Sequence, residues 1–185
     1  MNAVNHATKA ELEAQLDFIR GSPKDGGTLE MIVRRPQVNE REMLDEAVLD
    51  LAQGLAGDNW IARGSSSTWD GSANPEMQIT LMNSRIVAAV ARSRERWSLA
   101  GDQFFVDLDL SAENLPPGTQ LALGAAVIEV TSPPHTGCKK FLSRFGHDAL
   151  AFVNSPVGRQ LNLRGIHARI ARGGVVRVGQ PLKKI

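Results

Sequence analysis

The stretch Thr119-Gln120-Leu121-Ala122-Leu123-Gly124-Ala125-Ala126-Val127-Ile128-Glu129-Val130-Thr131 holds two short apolar runs divided by one glycine. Runs this short, bounded by turn residues, read as strands, and the glycine permits the tight reversal of a hairpin. Gln103 to Leu108, His167 to Ala171 and Val175 to Val178 repeat the pattern. Gly118, Gly173, Gly174 and Gly179 fall at the expected reversals. Such spacing predicts a largely antiparallel sheet rather than alternating βαβ units, and a barrel is its natural closure. Lys139 to Phe145, ended by Gly146, and Asp148 to Val153 read as short helices inserted between strands. The fold class is therefore mainly β with inserted helices, an α+β chain.

Toward the N-terminus, Thr8-Lys9-Ala10-Glu11 has the spacing of a capping box, followed by Leu12, Leu16 and Ile19 on one helical face and by Gly21 as a stop. Ser22 to Gly27 reads as a linker and Thr28 to Arg34 as a strand. The division expected is an N-terminal helix and linker over 1–27 and a barrel domain over 28–185. Asn39-Glu40-Arg41-Glu42 is a second capping box, with Met43, Leu44, Val48, Leu51 and Leu55 at helical spacing, and predicts an amphipathic helix up to Gly57. Arg63 to Pro75 is a loop, Gln78 to Met82 a strand, and Asn83 or Ser84 caps a helix through Arg92.

With 185 residues and 20.0 kDa, the chain has the size of one domain. Hydrophobic residues at 42% and charged residues at 22% are enough to build a core and exclude a disordered composition. No apolar run is long enough to span a bilayer, and Met1 to His6 lacks the pattern of a secretory signal. The expectation is a cytoplasmic protein with no membrane partner, monomeric or homodimeric. A net charge of +1 argues against general nucleic-acid binding. That small sum conceals a division. Ten of the 21 basic residues but one of the 20 acidic residues follow Cys138, leaving this last part at +9 and the rest at −8. The division points to a patch for a small anionic ligand beside the cysteine.

Cys138 is the single cysteine. It has no intramolecular disulfide partner, so it is a packed apolar residue, a reactive thiol or a ligand. A helix N-terminus and neighbouring lysines favour the thiolate, the form that attacks electrophiles and binds soft metals. The H-x-x-C spacing of His135 and Cys138 can begin a zinc site, although zinc takes four ligands. His135, His147 or His167 can serve as base to a cysteine nucleophile. Asp58 is either a functional carboxylate near the thiol or a turn residue after a helix end. Gly64 to Thr68 can wrap a phosphate but lacks a P-loop lysine, so it is read as a loop.

The order of several blocks around Cys138 resembles the MOSC domain, the module found at the C-terminus of molybdenum cofactor sulfurases and in stand-alone proteins. The blocks are Gly54-Leu55-Ala56-Gly57-Asp58, Gln78-Ile79-Thr80-Leu81-Met82, Gly101-Asp102 leading to Asp107-Leu108-Asp109-Leu110, and Gly118 with Leu121 to Val130. His135-Thr136-Gly137-Cys138-Lys139-Lys140-Phe141, Arg164-Gly165-Ile166-His167-Ala168-Arg169-Ile170 and Gly174 to Gly179 complete the series. The family usually carries an Arg-x-Pro-Cys style motif and a closing Gly-Asp, where this chain has His135-Thr136-Gly137-Cys138 and Gly179-Gln180.

The resemblance spans about residues 28–180 and implies a distorted closed β-barrel. It further implies that Cys138 carries sulfur or ligates molybdenum in a pterin cofactor, as the catalytic and metal-binding residue. Lys139, Lys140, Arg144 and Arg164 are then candidates for the pterin phosphate, with His135 and Asp58 as further cofactor contacts. The implied activity is that of a molybdenum-dependent oxidoreductase, as in reduction of N-hydroxylated compounds, or of a sulfur-transfer component. A pyridoxal phosphate desulfurase domain is not among the blocks. Pyridoxal phosphate is therefore not expected in this chain, and a cysteine desulfurase or redox partner is. The alternative is a non-catalytic barrel that holds an anionic metabolite, with Cys138 structural.

Overall fold

Phe104, Phe105 and Val106 define the layering: Phe104 and Val106 belong to one apolar cluster and Phe105 to a second. Successive side chains leave a strand on opposite faces, so one strand separates two cores. The computed structural model describes residues 5–185. Met1 to Val4, the start of the expected N-terminal segment, lie outside the described residues.

The chain begins with α1 (Lys9–Glu13), α2 (Leu16–Arg20), β1 (Gly27–Arg34), β2 (Glu42–Leu44), β3 (Glu46–Asp50), β4 (Gly54–Leu55) and α3 (Trp60–Arg63). It continues with β5 (Ile79–Asn83), α4 (Ser84–Ala91), a 3₁₀ helix over Arg94–Ala100, β6 (Phe104–Asp107), β7 (Gln120–Leu123) and β8 (Ala126–Val130). The last part forms α5 (Lys139–Asn154), α6 (Pro156–Gln160), β9 (Ile166–Arg172), β10 (Gly174–Arg177) and β11 (Pro181–Lys184).

Seven strands close into a barrel in the order β11-β7-β8-β9-β5-β6-β1, with β1 returning to β11 and β2 appended beside β1. The pairings are antiparallel except for β5 with β6, which α4 connects as one βαβ unit. A three-stranded sheet, β10-β3-β4, is separate from the barrel. Leu29, Leu81, Phe104, Leu121, Ile128 and Ile170 help fill the barrel interior. The second core lies outside it, where α1, α2, α4 and α5 bring Leu12, Ile19, Val87, Phe141 and Phe145 onto Met31, Met82 and Phe105.

The hairpin expected from Thr119 to Thr131 is present as β7 and β8, in register from Gln120↔Glu129 to Leu123↔Ala126. The helix expected between Asn39 and Gly57 is not formed; this segment makes β2, β3 and β4. Its helical spacing was misleading because Met43, Val48 and Leu51 are exposed, while Ala47 and Leu49 alternate inward to pair with β10. Asn39 also has φ 70, which is not the extended backbone of an N-cap. Here strand pairing overrides a local pattern.

The first capping box does form. Thr8 N donates to Glu11 Oε2 at 2.7 Å, and Thr8 Oγ1 accepts from Glu11 N at 3.4 Å. The expected single helix divides into α1 and α2, with Gly21 as the final cap. Gly146 breaks α5 at φ 87, which preserves the two-helix reading of that region. Neither α6 nor β11 was legible as an element. Each begins at a proline, a residue that lacks the backbone N–H.

Gly165 joins the cleft described below to β9 at φ 113, and a Cβ there would lie 2.2 Å from the Leu81 carbonyl oxygen. Gly179 has φ 87 but nothing within 4 Å of a Cβ. We expect Gly165→Ala to cost about 3 kcal/mol or more and Gly179→Ala about 1 kcal/mol, compared by urea unfolding.

Candidate functional site

The 3₁₀ helix Arg94–Ala100 ends on Gly101, whose φ of 93 turns the chain out of the helix. A helix end leaves carbonyl groups without partners inside the helix. Here four successive carbonyls each receive an arginine. Ser98 O accepts from Arg41 Nε at 3.2 Å and Leu99 O from Arg144 Nη1 at 2.7 Å. Ala100 O accepts from Arg164 Nη2 and Gly101 O from Arg35 Nη1, both at 2.9 Å. The four arginines come from the position just after β1, the approach to β2, the middle of α5 and the approach to β9.

Two Gly-Asp pairs support this fan from beneath. Asp58 Oδ2 accepts from Arg35 N and Nε, both at 2.9 Å, and Asp58 Oδ1 accepts from Arg35 Nη2 at 2.8 Å. Asp102 Oδ2 accepts from Arg164 Nη1 at 2.7 Å. Both carboxylates are fully buried. Removing one partner of such a pair leaves an uncompensated buried charge, a loss of about 3–5 kcal/mol.

The fan opens onto a cleft of ≈ 700 Å³, a volume suited to a small-molecule ligand. Arg35, Arg41, Arg63, Lys140, Arg144 and Arg164 line it together with Cys138, and no Asp or Glu does. Among the described residues, Arg41, Arg63, Lys140 and Arg144 have no carboxylate partner. Burial pulls Arg41 below the ordinary arginine range, and the nearby Arg144 and Arg35 add to the effect. That mutual repulsion is relieved by a bound anion.

Two histidines complete the wall. In β9, Ile166 and Ala168 face the barrel interior, so the intervening His167 faces outward, opposite Thr80 of β5. Its ring lies 4.5 Å from that of His135, with an interplanar angle of 38°. His135 Nδ1 is 3.4 Å from Asp102 Oδ1. Desolvation, reinforced by Arg164, His167 and Arg35, holds His135 well below the usual imidazole range. Desolvation and the charges of Arg164, Arg63 and Arg35 lower His167 to about 4. Both rings are neutral near pH 7. Burial pushes Asp102 upward, opposed by Arg164. Asn59 Oδ1, Asp102 Oδ1, His135 Nδ1, Arg164 Nε and His167 Nδ1 are buried without a hydrogen-bond partner. Asn59, His135, Arg164 and His167 line the cleft; an unsatisfied buried polar atom costs about 1–3 kcal/mol, so this concentration favours an incoming polar ligand.

Cys138 is exposed and occupies the N-cap position of α5 without capping it through its side chain. Of the residues singled out from sequence, the structure gathers Cys138, His135, Lys140, Arg144 and Arg164 in the cleft. Lys139 is exposed and does not line it. Asp58 lies under Arg35 instead of on the cleft wall, in the turn after β4. His147 is exposed and sits beside Asp148 at 3.7 Å. Among the described residues no three His, Cys, Asp or Glu side chains are arranged to hold a metal ion, so His135 and Cys138 lack the companions of a tetrahedral zinc site.

Sequence reasoning missed Arg35, Arg41, Arg63 and the anchoring role of Asp102. The second Gly-Asp pair was the available signal. A carboxylate buried after a turn calls for a cation, but nothing local names which one.

Residues 69–183 match the family model of the MOSC domain. The chain belongs to the MOSC domain family. No curated protein matches it in sequence. Among solved structures, the YUAD protein from Bacillus subtilis is 15% identical with a TM-score of 0.60, the match covering 85% of this chain and 94% of that one. YiiM from Escherichia coli is 20% identical with a TM-score of 0.52, covering 85% and 69% of the two chains. YiiM from Geobacillus stearothermophilus is 14% identical with a TM-score of 0.53, covering 87% and 74%. These likenesses concern the fold. The matched MOSC segment holds Cys138, both cleft histidines, Asp102, Lys140, Arg144 and Arg164, whereas Arg35, Arg41 and Arg63 precede it. The cleft of this MOSC protein is thus completed from outside the matched segment.

The histidines give the domain a defined acid sensitivity. The folded pKa of His167, about 4, lies below the ordinary imidazole value of 6.5, so between those values the unfolded chain binds the extra proton. Stability is therefore full above about pH 6.5 and falls as the pH drops toward 4, by about 3 kcal/mol from this group. Urea unfolding of the native chain and of His167→Gln at pH 7 and pH 4.5 should show a smaller acid loss in the variant.

Proposed function

We propose that the cleft binds a molybdenum-pterin cofactor, with Cys138 as the protein ligand to the metal and the arginine fan as the holder of the pterin phosphate. The observation that carries this reading is the convergence of one exposed thiol with four cations that have no carboxylate partner. A thiolate is a soft ligand suited to such a metal, and arginine forks match the geometry of a phosphate. The unpartnered buried atoms of Asn59, His135, Arg164 and His167 on the wall favour the same conclusion.

When bound, the group supplies a metal centre for two-electron oxygen- or sulfur-atom chemistry. The chain's own residues bind and orient. Asp58 and Asp102 fix Arg35 and Arg164, and the carbonyls of Ser98 to Gly101 aim all four guanidiniums. Neutral His135 and His167 offer ring nitrogens that accept or donate hydrogen bonds without adding charge. In this reading the protein works in the cytoplasm as a reductase of N-hydroxylated compounds, or passes sulfur through Cys138, with a redox partner or a cysteine desulfurase. No helix among the described residues is long and apolar enough to cross a membrane.

A second reading is a non-catalytic anion-binding barrel in which Cys138 only lines the wall. It is favoured by the fan itself, whose arginines are held by backbone carbonyls independently of the thiol. Protein purified from a host that makes the cofactor should contain molybdenum and fluorescent pterin in proportion to chain, and Cys138→Ser should lose the molybdenum. Full molybdenum occupancy in that variant would remove thiolate ligation. Absence of both molybdenum and pterin, with phosphate still bound, would leave the anion-binding barrel.

A further inference from the structure

Cys138 is exposed and stands in a wall with no acidic side chain. Arg41, Arg63, Lys140 and Arg144 share that wall without carboxylate partners. The same cleft contains Arg164 and His167, which are 5% and 4% exposed, and each has a polar atom without a partner. These features favour an incoming molecule that carries negative charge and hydrogen-bonding groups to the thiol.

We propose that Cys138 undergoes thiol–disulfide exchange with small carboxylate-bearing disulfides, and that the cationic cleft selects them over neutral ones. The Cys138 thiolate attacks one sulfur of the disulfide, the S–S bond breaks, and a mixed disulfide forms on Cys138. The second sulfur leaves with the electron pair as a thiolate and takes a proton from solvent. The disulfide is itself the oxidant, so no further reagent enters. Because the chain has one cysteine, no second thiol of its own resolves the adduct. A free small thiol reverses it by the same exchange. While present, the adduct blocks the sulfur that would ligate metal or carry persulfide. The selection rests on the charge of the cleft, and only this regulatory consequence rests on the cofactor reading.

The cations act on the encounter. A cleft of one sign of charge raises the arrival rate of oppositely charged molecules by about 10–10³, and salt suppresses the effect. The test measures exchange on the cofactor-free full chain with dianionic dithiobis(nitrobenzoate) and with neutral dithiodipyridine. 2-Mercaptoethanol, which carries no charged group besides its thiolate, serves as the reference thiol. The native chain should prefer the dianion, relative to the reference, by about tenfold or more at low ionic strength. The preference should fall toward that of the reference at about 1 M salt. Lys140→Glu and Arg63→Glu alter exposed side chains and should each reduce it several-fold, while circular dichroism confirms the fold. Intact-mass analysis should find one adduct, absent from Cys138→Ser. A preference equal to that of the reference, or one insensitive to salt and to both variants, would overturn the proposal. Molybdenum and pterin content is measured separately, so either reading can fail alone.

Discussion

Four carbonyl groups at the end of one short helix hold four arginines that the sequence scatters from position 35 to position 164. Each contact engages a carbonyl at the helix end, Ser98 O being shared with the Gly101 N–H, and fixes a guanidinium that would otherwise swing in solvent. Hydrogen bonds from charged donors contribute about 1.5–3 kcal/mol each, and together they hold like charges at close range. Asp58 and Asp102 offset two of the positive charges from beneath, leaving the donors on the cleft side to act on a ligand. The cleft is therefore cationic by construction, and its geometry is set before anything binds.

The barrel makes that construction possible by separating interior from exterior at each strand. Phe104 and Val106 go inward and Phe105 outward, so β6 belongs to both cores. The same alternation turns His167 toward the cleft between Ile166 and Ala168. Helix α5 packs Phe141 and Phe145 into the outer core while placing Cys138 at its start and Arg144 on the fan. Apolar burial thus positions the polar site, and the flexible charged side chains need only local hydrogen bonds to complete it.

The pattern of strands after Ala100 was legible because its apolar runs and turn glycines are local features. Failure came at Asn39 to Gly57, where helical spacing and a capping-box pattern pointed to a helix. The partner strand β10 lies more than a hundred residues away, and its pairing with β3 decided the outcome. Charge was legible in sum but not in space. The basic last part supplies Lys140, Arg144 and Arg164 to the cleft, while Arg35, Arg41 and Arg63 come from the part with the acidic balance. Arg169 and Arg177 of that last part instead pair with Glu129 and Glu46 on strand surfaces.

By itself, the sequence determined the lone thiol, the barrel-forming strand runs, the break at Gly146 and the family blocks around Cys138. These depend on residue type, spacing and short-range backbone preference. Only the tertiary structure decided which arginines meet, that Asp58 and Asp102 are buried anchors, and that two histidines stand neutral beside one another. Those outcomes depend on contacts between distant segments and on how much water each group loses, and neither quantity is written in local sequence.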